Sequence, residues 1–214
     1  DECDAMTSEA QWSLRRIMEM FWRTTRFILI ANYGSKIIEP IQSRCAIFRF
    51  SMLSKEDVAE RLKFIATKEG VKLTPEGIDA IWYVAGGDLR RAINLLQAAA
   101  AYGGPVDDMT VYKVAGRARP TEVHEMLKLA LKGDVLAARQ KVYDLMINYG
   151  LTGSDIIRQV HIEVFRLDVP EPLKMEIEDL VAETDYRLTE GANEDIQITA
   201  FLAQLARLGK KMAG

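Results

Sequence analysis

Four places in this 214-residue chain combine residue types and spacings that could do chemistry. The first is Ser35-Lys36-Ile37-Ile38-Glu39-Pro40-Ile41-Gln42-Ser43-Arg44-Cys45, a polar-tipped segment with one Arg near its end. It lies between two apolar runs, Phe27-Ile28-Leu29-Ile30 and Ala46-Ile47-Phe48-Arg49-Phe50. A guanidinium is always charged and carries only donors, so Arg44 on rigid flanks can be aimed at an anion outside its own chain. The second place is Asn32, just past the end of the first apolar run. A continuous apolar run is expected of a strand buried on both faces, and open sheets of such strands bind ligands at their carboxyl ends. The plainer role for Asn32 is a turn residue satisfying local backbone. Asp1-Glu2 would take the equivalent end of a preceding strand. The third place is Arg15-Arg16, two neighbours that cannot point the same way, so one of them can face a partner. Arg15, Glu19 and Arg23 are spaced four apart and can instead pair on a solvated face. The fourth is Arg90, a cation in the first turn of a helix, where it opposes the helix dipole. A bound phosphate would offset that cost, and so would a nearby carboxylate.

The elements that must hold these groups are mostly helical. Ser8 with Gln11 reads as a capping box, opening a helix whose Leu14, Ile17, Met18 and Phe21 share one face. After the second apolar run the strand signals stop. Ser54 with Asp57 caps a helix carrying Val58, Leu62, Ile65 and Ala66, and Gly70 ends it. Thr74-Pro75-Glu76 opens the next, with Pro at the first helical position, Ile78, Ile81 and Trp82 inward, and Gly86-Gly87 as its stop. Asp88 caps a third helix, with Ile93, Leu95, Leu96 and Ala99 inward, and a short fourth starts at Asp107. Residues 115–120 (Ala-Gly-Arg-Ala-Arg-Pro) look like a linker. Five helices are expected beyond it, near 121–132, 134–148, 153–167, 172–188 and 193–209. Their expected faces are Met126, Leu127, Ala130 and Leu131, then Leu136, Val142, Leu145 and Met146, and last Ile196, Ile198, Phe201, Leu202 and Leu205. No chemistry-bearing cluster stands out there, and His161 reads as a packed or surface His.

Composition narrows the classes. The net charge of −3 gives no global basic balance toward nucleic acid,. The charge is graded: +1 over residues 1–50, 0 over 51–117 and −4 over 118–214. Any DNA contact is therefore local and expected in the first segment. Two cysteines, Cys3 and Cys45, make no disulfide framework,, and with the two His they make no metal-ligand spacing. No membrane segment is expected. A start on Asp1-Glu2-Cys3-Asp4 directly before a helix is expected of a piece of a longer protein.

Taken together, these residues resemble the replication factor C small subunits, clamp loaders of the AAA+ family, and the archaeal type most closely. Asp1-Glu2-Cys3-Asp4 resembles the Walker B box, with Cys3 in place of a smaller residue. Residues 27–33 are similar to the sensor 1 strand, and Ile38 to Cys45 matches the Ser-Arg-Cys motif. Gly86-Gly87-Asp88-Leu89-Arg90-Arg91 resembles the sensor 2 helix, and Leu188-Thr189-Glu190-Gly191-Ala192-Asn193-Glu194 the collar signature. The resemblance covers the whole chain.

It implies a mostly α chain. Residues 1–52 would be the C-terminal half of an AAA+ α/β nucleotide-binding domain, 53–116 a helical lid, and 117–214 a five-helix collar for oligomerisation. It implies ATP and Mg²⁺ as cofactors of the full-length protein, with Asp1 holding Mg²⁺ and Glu2 polarising the attacking water. Asn32 would orient that water or sense the γ-phosphate. Arg90 would touch the phosphates in cis, and Arg44 would act in trans on a neighbour's ATP. Lys36 and Ser35, with Arg15 or Arg16, would face DNA phosphates. The implied partners are the large subunit, copies of this chain, the sliding clamp and primer–template DNA, in the cytoplasm of an archaeon or the nucleus of a eukaryote. No Gly-x-x-x-x-Gly-Lys-Ser/Thr cradle occurs in the 214 residues,, so the isolated chain is expected to bind ATP weakly and to show no ATPase activity. The competing expectation is an oligomerisation and interaction module with a non-functional nucleotide site. A generic helical DNA-binding protein fits less well, because the net charge is negative and no groove-reading helix stands out.

Overall fold

The computed structural model describes residues 1–213. They fall into two compact units, Asp1–Ser51 and Met52–Gly214. Eleven α-helices and no strand occur among the described residues. None of those helices is long and apolar enough to cross a membrane.

The first unit has little regular structure. A 3-10 turn at Cys3–Ala5 leads to α1 (Ser8–Phe21), a second turn at Gly34–Lys36 and the short α2 (Glu39–Gln42). The cap of α1 is Thr7, one residue earlier than the sequence suggested. Its extended backbone lets its hydroxyl accept from the Ala10 amide at 3.3 Å,. Gln11 does not reach back to that cap; its amide is buried elsewhere. Met18 is buried, whereas Ile17 and Phe21, expected on the same face, remain exposed.

Neither apolar run forms the expected strand. Residues 27–30 carry no regular secondary structure, with Phe27 and Leu29 partly covered and Ile28 84% exposed. A strand exists through its neighbours' hydrogen bonds, and this run has one such tie, from the Cys3 amide to the Ile30 carbonyl at 3.0 Å. Residues 46–50 likewise form no regular element, and Phe50 is 95% exposed.

The second unit is helical throughout. Its first part is α3 (Lys55–Glu69), α4 (Pro75–Ala85), α5 (Leu89–Ala101) and α6 (Asp108–Ala115). Local chemistry sets these limits as the sequence indicates. Ser54 and Asp57 form a reciprocal capping box, Thr74 and Asp88 cap the next two, and Gly70 and Gly86 close α3 and α4 in the left-handed region,. The second part is α7 (Pro120–Leu131), α8 (Val135–Tyr149), α9 (Gly153–Val164), α10 (Glu171–Thr189) and α11 (Glu194–Ala213). One continuous apolar core runs from Val58 to Leu205 through both parts. Two expected core residues face outward: Leu136, 80% exposed, and Ile196. Each lies two residues before a buried one, Ala138 and Ile198. Two residues turn a helix through about 200°, onto its opposite side.

The presumed linker at 115–120 is pinned. Ala118 is buried, and its amide and carbonyl both bond the Gln159 side chain, at 2.9 and 2.6 Å. Arg119 pairs with Asp108 at 2.8 Å. The contact between α7 and α11 is close enough to require glycine. A Cβ at Gly209 would lie 1.8 Å from the Leu131 carbonyl oxygen.

Candidate functional site

The first unit is organised by polar side chains rather than by a core. Gln11 is buried on the stripe of α1 that also carries Leu14 and Met18. Its amide nitrogen donates to the carbonyls of Met6 and Lys36, at 3.2 and 3.0 Å, and its oxygen accepts from the Ile38 amide at 2.9 Å. The Gln42 side chain closes the same loop from the other side, donating to the carbonyls of Gly34 and Ile37 at 3.1 and 2.6 Å. Ile41, fully buried, anchors α2. These bonds make residues 34–42 a rigid mount, with Ser35 and Lys36 exposed at one end and Arg44 just past the other. The Lys36 ammonium lies 4.8 Å from the Tyr33 ring centroid,.

Arg44 folds back over its own short helix. It donates to the Pro40 carbonyl at 2.7 Å and pairs with Glu19 of α1 at 2.7 Å. Arg15 pairs with the same Glu19 oxygen at 3.0 Å and lies over the Trp12 ring. Arg23, the other candidate partner of Glu19, lies instead over Trp22 at 5.2 Å. Desolvation pushes the Glu19 carboxyl up, and the guanidinium groups of Arg15 and Arg44 outweigh it, holding it below its ordinary range. Arg16 is exposed.

Asp4 joins the two edge segments. Its carboxylate accepts from the amides of Asn32 and Tyr33, at 3.4 and 3.3 Å. Together with the Cys3–Ile30 bond, this brings the chain at Asp1-Glu2 beside Asn32 within one unit. Asp1 and Glu2 are exposed, and the Asp1 carboxylate accepts from the Glu2 amide at 2.9 Å. Glu2 is the single non-glycine with positive φ among the described residues, at φ 51 and ψ 37. Such backbone is held against an intrinsic cost and is concentrated at functional positions. The two adjacent carboxylates are hard oxygen donors of the kind Mg²⁺ takes alongside substrate phosphates, so they fit that ion. Among the described residues no group of three or more His, Cys, Asp or Glu is set to hold a metal unaided. A triphosphate would need a cradle from outside the 214 residues.

Arg90 lies in the second unit, exposed in the first turn of α5. Among the described residues it makes no ion pair. Asp88 beside it is engaged in capping, accepting from the Arg91 amide at 3.0 Å.

The second unit also holds a polar cluster that the sequence reading passed over. Glu163 of α9 is fully buried and meets Tyr83 of α4, Arg166 at 2.9 Å and His124 of α7 at 2.8 Å. The His124 contact lacks hydrogen-bond alignment. The Arg166 guanidinium sits 4.9 Å from the Tyr83 ring centroid, and Tyr83 stacks edge-on against Tyr112. Burial first, and then the Glu163 carboxylate, push the Tyr83 phenol up to about 12. His161 is exposed and pairs with Glu178. Gln11 and Glu163 carried the same signal in the sequence: a polar residue on an otherwise apolar helical stripe.

Comparison with known proteins agrees over the whole length. Residues 118–204 match the replication factor C C-terminal domain, and residues 60–101 match the RCF1/5-like AAA+ ATPase lid domain. The replication factor C small subunit of Staphylothermus marinus is 58% identical over 214 residues, which cover 99% of this chain and 65% of that protein. The small subunit of Archaeoglobus fulgidus is 50% identical over 99% of this chain and 66% of its own length. That of Pyrococcus furiosus is 56% identical over 99% of this chain, which spans 25% of that protein. The chain thus spans about two thirds or less of the relatives it matches. It belongs to the replication factor C small-subunit family.

Proposed function

We propose that this chain is part of an ATP-dependent clamp-loader subunit that places a sliding clamp at primer–template junctions during DNA replication. Its partners on this reading are a large subunit, further copies of itself, the clamp and the DNA. The observation that carries it is the mount at residues 34–44. Gln11 and Gln42 fix a short element with a lysine at one end and Arg44 at the other.

In this reading Lys36 and Ser35 contact DNA phosphates, with Arg15 or Arg16 adding to the same surface. Phosphate contacts position a protein without reading sequence, which suits recognition of a junction by shape. Asp1 holds Mg²⁺, which neutralises charge on the phosphates when bound. Glu2 accepts a proton from the attacking water, and Asn32 orients that water. Arg90 meets the phosphates of its own subunit's ATP. Arg44 supplies its guanidinium to the ATP of a neighbouring copy, so hydrolysis depends on correct assembly.

Replacing Arg44 by Ala in the full-length, assembled complex tests this directly. Loss of a finger in trans is expected to lower DNA-stimulated ATP turnover by about 10³-fold or more, with assembly unchanged in light scattering. Full turnover in that variant would sink the reading.

A second reading is favoured by the continuous core from Val58 to Leu205 and by the lack of a phosphate cradle within the 214 residues. Here the chain is an oligomerisation and interaction module with a non-functional nucleotide site. It predicts a discrete ring-sized oligomer of the isolated chain without nucleotide, and a monomer at high concentration would argue against it.

A further inference from the structure

Glu19 stands between two cations to which the proposed function gives different tasks. One carboxylate oxygen accepts from Arg15 at 3.0 Å and is ion-paired with Arg44 at 2.7 Å. All three side chains are partly exposed, between 33% and 40%. Arg15 reaches Glu19 from one turn earlier on α1, and Arg44 reaches it from beyond α2. Arg44 is thus engaged within its own chain at both terminal nitrogens: Nη2 faces Glu19 in an ion pair, and Nη1 donates to the Pro40 carbonyl at 2.7 Å and to the Ser43 hydroxyl at 3.5 Å. Its remaining N–H groups are free to meet an anion on a neighbour.

We infer that Glu19 is a positioning residue that couples DNA contact at Arg15 to the aim of Arg44. The inference rests on the proposed roles of those two arginines and adds the group that joins them.

The physical argument is competition for one acceptor. A single carboxylate oxygen shared by two guanidinium groups binds each less well than it would bind either alone. A DNA phosphate at Arg15 offers that cation a second anion and loosens its hold on Glu19. The carboxylate charge then falls more fully on Arg44. Arg44 is steadied on its mount, with its outward donors fixed in direction. The attraction of the paired carboxylate fixes where the guanidinium rests, so the effect is one of orientation,. Arg16, its neighbour on α1, has no part in this contact.

The test uses the assembled full-length complex, a primed DNA hairpin and steady-state ATP hydrolysis. Glu19→Gln keeps the shape and removes the charge. It is expected to lower DNA-stimulated kcat about 3- to 5-fold, the scale of an exposed charged contact. KM for ATP should stay within about 2-fold, because ATP does not touch Glu19, and the Kd for DNA should tighten, by less than about 3-fold, because Arg15 is no longer divided between Glu19 and the phosphate. Glu19→Asp, which restores the charge on a shorter arm, should recover part of the loss. A merely structural role would not show this split. In the double variant Arg15→Ala with Glu19→Gln, DNA stimulation should fall no further than in Arg15→Ala alone. Wild-type stimulation in Glu19→Gln, or losses that add in the double variant, would overturn the coupling. If Arg44→Ala hydrolyses ATP normally, the finger reading falls and the coupling with it. If Arg15→Ala binds DNA with unchanged Kd and salt dependence, the DNA half falls and takes the coupling too. Loss in both single arginine variants with none in Glu19→Gln removes the coupling alone.

Discussion

Residues 1–51 and residues 52–213 are held together by different means. In the first unit the buried apolar side chains are Cys3, Met18 and Ile41, and order comes from the hydrogen bonds of Gln11, Gln42 and Asp4. In the second unit a single apolar core runs through nine helices, and Glu163, the anchor of its polar cluster, is fully buried there while Arg166 reaches the surface. Burial is non-directional and roughly additive in area, whereas a hydrogen bond specifies an angle. The unit with little core therefore holds its loops by direction, and the unit with a large core by buried area.

The contrast predicts that the same kind of substitution acts differently in the two units. The largest effect is expected for Phe201→Ala in the second unit, a fully buried ring, at about 3–5 kcal/mol lost in a urea melt. Loss of less than a third of that would mean the core is not the source of its stability. Gly209→Ala comes next. The Leu131 carbonyl stands where the new Cβ would go, so α7 and α11 must separate, at about 1–3 kcal/mol. An unshifted melting temperature would disprove the close approach.

In the first unit, Gln11→Ala leaves the Lys36 carbonyl and the Ile38 amide unpaired, a cost of about 1–3 kcal/mol that stays local. Amide exchange at Ile38 should speed up, with the melt of the second unit unchanged. Slow exchange there would show that the mount does not depend on Gln11.

The smallest effect at neutral pH concerns Tyr83, whose phenol is pushed up to about 12 from an ordinary 10.0, by burial and then by Glu163. Between those values the unfolded chain has released the proton and the folded one retains it. Stability is thus fully present below pH 10 and falls as pH rises toward 12. Tyr83→Phe should flatten that alkaline fall, and an unchanged slope would assign it to other raised phenols, Tyr112 and Tyr149 among them.

The legible parts of the molecule were the local ones. Ser54 with Asp57, Thr74 with Pro75, and Asp88 each act within three residues, so their caps could be read directly. The helices after residue 53 followed from the period of their apolar residues, with errors at Leu136 and Ile196, which lie off the buried stripe. The anchors were not legible because their partners are distant in sequence. Gln11 meets Ile38 across 27 positions, and Tyr83 meets Glu163 across 80. The expected strands failed for a related reason: apolar content and extended backbone are properties of a segment, but a ladder belongs to a pair. For the candidate site, the residue types and their order were readable. The Arg15–Glu19 pair was readable from its four-residue spacing, but the share of Arg44 in it was not, because Arg44 lies far along the chain and Arg23 had the local spacing instead.

The Gln11 amide has a further consequence. Its nitrogen faces two carbonyls and its oxygen faces one amide hydrogen. Turned end for end, it would set oxygen against oxygen twice and nitrogen against nitrogen once. The side chain is thus a one-way plug, seated by polarity as much as by shape. A glutamate of nearly identical outline would fit the space and still be rejected, because it offers no hydrogen to either carbonyl while ionised. The position discriminates between two side chains of almost equal size by the sign of a few partial charges.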